Sequence, residues 1–137
     1  MANYYCKIRT NYFSVTDEAK FKEVISKCEA EDEIVVNSDG GKHMFYCDGS
    51  ISGLPDNEND EYTEYNYDAF CEALQGVLVD DDAIIITEVG YEKMRYLVGV
   101  SLVITTKEIR QVSLNDEAVR VAGMMLGNSE YGTQMDY

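Results

Sequence analysis

Apolar and polar positions roughly alternate over residues 4–13, YYCKIRTNYF, and the run is rich in β-formers, so it predicts a strand. The period then lengthens. Phe21, Val24, Ile25 and Cys28 recur at i, i+3, i+4 and i+7, which predicts an amphipathic helix over 17–29. Thr16 stands before it as N-cap, with Asp17 and Glu18 in its first turn. Residues 33–37 (EIVVN) and 42–48 (KHMFYCD) flank Ser38-Asp39-Gly40-Gly41, whose glycines are free to take positive φ, so a hairpin is expected. Residues 49–66 show no period. A structureless stretch of that length inside a compact domain is usually functional or mobile.

Phe70, Cys71, Leu74, Val77 and Leu78 return to helical spacing and predict a helix over 67–78. Asp80, Asp81 and Asp82 break it and lead into AIIITEV, a short buried strand. Val89-Gly90-Tyr91-Glu92 is expected to turn the chain. Met94, Tyr96, Val98, Val100, Leu102 and Ile104 then share one face of a long strand. Thr106-Lys107-Glu108 turns into the strand IRQVS. Asn115 is the expected cap of a last helix through Leu126, with Asp116 and Glu117 in its first turn and Gly127 as its stop. The tail 128–137 is polar and expected to be loose. The order β-α-β-β-α-β-β-β-α implies an α+β fold: a mostly antiparallel sheet of about five to six strands with three helices against one face. One compact domain over 1–137 is expected, with no repeat and no linker.

At 137 residues and 45% hydrophobic, the chain is long and apolar enough to bury a core, which argues against disorder. Its net charge of −15, from 26 acids and 11 bases, is the wrong sign for gripping nucleic-acid phosphates or an anionic membrane surface. Lys7 and Arg9 interrupt the only apolar stretch near the start, and no run approaches a spanning length, so a cytoplasmic protein is expected. Cys6, Cys28, Cys47 and Cys71 contain no CxxC pair and read as free, mostly buried thiols.

The charge is not evenly spread. Residues 43–92 contain 13 acids and no lysine or arginine, so that segment carries −13. The remaining 13 acids and 11 bases leave −2 for the rest of the chain. Charge runs are usually solvated faces. Thirteen like charges nevertheless repel one another and destabilise the compact state, which points to a use for their field. Asp56, Glu58, Asp60, Glu61 and Glu64 in the loop, and Asp80, Asp81 and Asp82 after the helix, are the candidates for presenting a line of negative charge to a basic partner. Tyr62 and Tyr65 would anchor the contact, since tyrosine is enriched in interface cores. Tyr67 is expected to pin the loop to the core instead.

Catalytic and metal chemistry fit poorly. A calcium loop starting at Asp56 fails at position 6, which is Glu61 rather than glycine, and at position 12, which is Tyr67 rather than an acid. His43-x3-Cys47 places two zinc-type ligands on one strand face, but His43 is the only histidine, so packing is the better reading. GSISG at 49–53 has Ile51 where a nucleophile elbow needs serine. No glycine-rich phosphate loop occurs. The chain therefore reads as a non-enzyme without cofactor.

NYYCKIRTNYF, DGSISGLP, the acidic tyrosine-rich loop, DDDAIIITEVGYEKMRYLVG and ITTKEIR together resemble small acidic accessory proteins of bacterial conjugative and phage-derived elements, of the anti-restriction and anti-CRISPR kind. The resemblance covers most of the chain and implies a stoichiometric inhibitor of a host defence nuclease, with a Cas9-type effector foremost. It implies no site residues. The sequence expectation is thus an acidic, DNA-mimic-like occluder of a basic groove. The alternative is a general protein-interaction module or immunity-type partner without mimicry.

Overall fold

The computed structural model describes residues 4–57, 63–92 and 96–135. The elements run β1 (Tyr4–Thr10), α1 (Glu18–Lys27), β2 (Glu29–Ala30), β3 (Val35–Asp39), β4 (Lys42–Cys47), β5 (Ile51–Pro55), β6 (Tyr65–Asn66), α2 (Tyr67–Val77), β7 (Ile84–Glu92), β8 (Tyr96–Ile104), β9 (Ile109–Ser113) and α3 (Leu114–Leu126). The fold is α+β, with the expected order of major elements. A six-stranded antiparallel sheet is ordered β3-β4-β1-β7-β8-β9, and β2, β5 and β6 form a small second sheet.

One face of the large sheet carries the core. Ile8, Phe45, Ile84, Ile86 and Ile104 point there and meet Phe21 of α1 and Phe70, Cys71 and Leu74 of α2. Phenylalanines chain through it edge to face. Ring centroids are 5.5 Å apart for Phe13–Phe21, 6.3 Å for Phe13–Phe45 and 5.9 Å for Phe45–Phe70. Such pairs add about 0.5–1.5 kcal/mol each beyond the area they bury.

Local chemistry sets the element ends. Asp17, not Thr16, caps α1: its Oδ1 accepts from the N–H groups of Ala19 and Lys20, while the Thr16 hydroxyl donates to the Val77 carbonyl. Ser113, not Asn115, caps α3, because the Asn115 amide reaches back to the Leu97 carbonyl. Gly127 ends α3 as expected, in the left-handed conformation at φ 66°. Gly40 and Gly41 both have positive φ and close the β3–β4 hairpin.

Two segments depart from the sequence expectation. Val89-Gly90-Tyr91-Glu92 does not turn; β7 continues through Glu92, paired with β1 and β8. Gly90 is there for close approach: an added Cβ would lie 2.5 Å from the Tyr4 hydroxyl. The expected long strand begins at Tyr96, and Met94 lies outside the described residues. Residues 49–66 are not structureless throughout, since β5 and β6 pair at Leu54↔Asn66 and Pro55↔Tyr65. Gly53 permits this with φ 117° and with the Asn66 carbonyl where its Cβ would be. The tail has no regular structure through residue 135.

Candidate interaction surfaces

The acidic segment folds around α2. Asn66 Oδ1 accepts from the Ala69 N–H and caps the helix, so β6 feeds directly into it. Before the helix, the Asp56 N–H donates to the Glu64 carbonyl at 2.8 Å and the Asn57 N–H to Thr63 Oγ1 at 3.0 Å, which holds both ends of the acidic loop together. Asp56, Glu64 and Tyr65 are exposed there. Glu58, Asp60, Glu61 and Tyr62 lie outside the described residues.

Asp68 and Glu72 are exposed on α2 at i and i+4, a like-charge spacing that mildly destabilises a helix. The buried residues Phe70, Cys71, Leu74 and Val77 hold the opposite side in the core. Asp80 and Asp81 are exposed just past the C-terminal end, where the helix dipole also disfavours anions. Asp68 and Glu72 thus lie within α2, Glu64 lies three residues before it, and Asp80 and Asp81 lie just beyond its end. The 11 residues of α2 span roughly 16 Å at about 1.5 Å rise each. One DNA strand places about five phosphates over that length, at roughly 3.4 Å per charge. Over that same length α2 itself carries two acids, Asp68 and Glu72, and the other three extend the acidic surface beyond both helix ends.

Not every acid of the segment is free for a partner. Asp82 is partly buried and accepts from the Ser14 and Ala83 N–H groups, both at 2.8 Å. Asp48 pairs with Lys7 at 2.8 Å. Glu88 accepts from the Tyr4 hydroxyl at 2.6 Å. Burial, and then this carboxylate, push the Tyr4 phenol well above its ordinary range. Tyr67 is partly buried, with its ring 6.1 Å from that of Phe70, so it ties the loop to the core as expected. Asp68 and Glu72 are the additions the structure makes to the acidic candidates. Their helical spacing was visible in the sequence beside the apolar positions of the same helix.

The other face of the large sheet is a second candidate, and sequence reasoning missed it. Tyr5, Val89, Tyr91 and Leu97 stand in register across β1, β7 and β8 and are exposed, Leu97 at 73%. The Tyr5 and Tyr91 rings lie 5.7 Å apart. Beside them opens a groove of about 670 Å³, whose walls include Leu114 and the Lys7–Asp48 pair. Among the described outward positions of β1, β7, β8 and β9 there is no Asp or Glu, while Lys7, Arg9 and Arg110 are present. The clue in the sequence was IIITEVGY, which places apolar residues on both faces of one strand.

His43 is buried beneath α1, its ring 5.3 Å from that of Phe21. Nδ1 lies 2.6 Å from Ser38 Oγ. Nε2 is 3.3 Å from Glu18 Oε1 but outside hydrogen-bond geometry. Cys47 sits two pairs of residues away in the same core and no described group of three or more His, Cys, Asp or Glu forms a metal-type cluster. All four thiols are free. Burial pushes Cys6 and Cys71 up to about 11 and Cys28 to about 12, and Cys47 upward as well. Thiols held protonated in this way are poor nucleophiles. No described helix is long and apolar enough to cross a membrane.

No family model, curated protein or solved structure matches the chain.

Proposed function

We propose that this protein is a non-enzymatic, stoichiometric inhibitor that acts in the cytoplasm on a nucleic-acid-handling defence enzyme. Its acidic ridge along α2, together with the adjoining loop, occupies a basic groove that otherwise receives DNA. The observation that carries this reading is the exposure of Asp68 and Glu72 on α2, with exposed Glu64 before the helix and exposed Asp80 and Asp81 after it, in a segment that has no lysine or arginine. The ridge is built against stability: it contains a like-charge i,i+4 pair and carries anions past a helix C-terminus. A merely soluble surface does not require that placement. A Cas9-type effector is the first enzyme to test, because its PAM-reading arginines form such a groove.

A second reading is favoured by the exposed apolar sheet face: a general interaction module that binds through Tyr5, Tyr91 and Leu97. The two readings differ in their response to salt. Ridge-driven binding weakens steeply as salt rises, whereas apolar docking does not. In the deciding experiment, the protein is titrated into a guide-loaded Cas9-type effector, and separately into a restriction endonuclease, each with target DNA. Loss of cleavage near one copy per enzyme, relieved by added salt, supports inhibition by charge. Cleavage untouched at low salt for both enzymes, or inhibition indifferent to salt, contradicts it.

A further inference from the structure

We infer that the open sheet face and the outward side of α3 form the contact between two copies of this chain. Three observations carry the inference, and none depends on the acidic ridge.

The first is the character of α3. Leu114, Ala118, Val121 and Met125 recur at spacings of 4, 3 and 4, the seam of a pairing helix. All four are exposed, Met125 at 82%. Gly123 is the only buried residue of the helix. A helix of this length is marginal alone in water, and its stability normally comes from burying an apolar side.

The second is continuity and size. Leu114 lies over Gly99, at 3.2 Å from where a Cβ would be, and shares the groove with Tyr5, Val89, Tyr91 and Leu97. The helix seam and the sheet face thus meet at Leu114. With side chains of roughly 150–250 Å² for aromatics and somewhat less for aliphatics, the exposed fractions of this surface amount to roughly 800 Å² per copy. That equals what each partner of a standard stable interface contributes, and it exceeds the largest apolar patch of a typical monomer.

The third is charge. Two copies at −15 each repel one another over most approaches. The described outward positions of β1, β7, β8 and β9 carry no acid; Glu31 and Asp48 border the groove beside them, and Asp48 is paired with Lys7, one of the three bases of the face. The four strands themselves present no carboxylate to a second copy, and Glu117 beside the α3 seam is already paired with Arg120. A two-fold contact also buries the same strip on both sides, as an isologous interface requires. Because α2 packs on the opposite face of the sheet, both acidic ridges stay outward in such a dimer.

Sedimentation velocity and light scattering on the full chain test this. Wild type at about 50 μM is expected to run at twice 15.5 kDa. Val121→Glu with Met125→Glu, and separately Leu97→Lys, are expected to raise the dimer dissociation constant about a hundredfold or more, with unchanged circular dichroism, since all three positions are exposed in the monomer. Raising salt is expected to tighten the dimer by screening repulsion, opposite to its effect on ridge-driven binding. A wild-type monomer throughout the concentration series overturns the inference, as do dimers that persist in both variants. Neither result bears on nuclease inhibition, which the cleavage assay reads separately.

Discussion

Asp80, Asp81 and Asp82 are adjacent and chemically identical, yet the structure assigns them different work, and this can be measured. Asp82 is partly buried and receives two backbone N–H groups, from Ser14 and Ala83. Asp80 and Asp81 are exposed. Hydrogen bonds to a charged group contribute about 1.5–3 kcal/mol each when sheltered, so partial exposure reduces the pair to about 2–3 kcal/mol. Unfolding entropy near the midpoint is about 2.1 cal/mol/K per residue, so 1 kcal/mol shifts a chain of 137 residues by about 3–4 °C. Asp82→Ala should therefore lower Tm by about 7–10 °C. Asp82→Asn keeps one acceptor and should fall between. Asp80→Ala with Asp81→Ala removes two repelled charges and should leave Tm equal or slightly higher. Thermal melts followed by far-UV circular dichroism at low salt read all three. If Asp82→Ala melts with the Asp80/Asp81 double variant, the division of the triplet into a structural and a presenting part is wrong.

The remaining expectations rest on other parts of the molecule. Changing Asp56, Glu58, Asp60, Glu61 and Glu64 to their amides should weaken partner binding and flatten its salt dependence while leaving Tm equal or higher, as read by titration calorimetry and melting. Gly53→Ala should lower Tm by at least about 10 °C or abolish soluble expression, since φ 117° is strained for alanine and the added Cβ lands 2.2 Å from the Asn66 carbonyl oxygen. The raised thiols give a sign for alkaline pH. Their folded values of about 11–12 exceed the ordinary 9.0, so their contribution is full below about pH 9 and is lost as pH climbs through 11–12. Urea midpoints should therefore decline from pH 9 to 11, and native thiols should react with a disulfide reagent at pH 8 far more slowly than unfolded ones.

Much of the fold was legible because its strongest periods are one-sided. Phe70, Cys71, Leu74 and Val77 mark a helix face that is buried as spaced. The glycines at 40 and 41 close the hairpin that their freedom suggests. Misreadings came where neighbours compete or where glycine has two uses. Thr16 and Asp17 can each cap α1, and the carboxylate wins by accepting two N–H groups. Gly90 suggests a turn in sequence, but in the sheet it makes room for Tyr4. β5 was hidden because its five residues include Gly53 and Pro55, both poor strand formers.

The candidate surfaces were legible in unequal measure. Charge counts locate the acidic segment, but they do not distinguish Asp82, used by the backbone, from Asp80. Nor do they reveal that Asp68 and Glu72 extend the loop acids along one helix. The apolar sheet face stayed hidden because its rows form only when β1, β7 and β8 align. Tyr5 is distant in sequence from Tyr91 and Leu97, yet it pairs with Tyr91, which in turn pairs with Leu97.

The most direct test of the acidic ridge is the salt dependence of binding to a guide-loaded Cas9-type effector, measured for wild type and for Asp68→Asn with Glu72→Gln. Both substitutions lie on an exposed helix side and leave the core untouched. Affinity is expected to fall steeply with log salt for wild type, with a shallower slope for the variant and convergence of the two at high salt. Equal slopes and equal affinities, or no binding by wild type at low salt, would contradict ridge-driven binding.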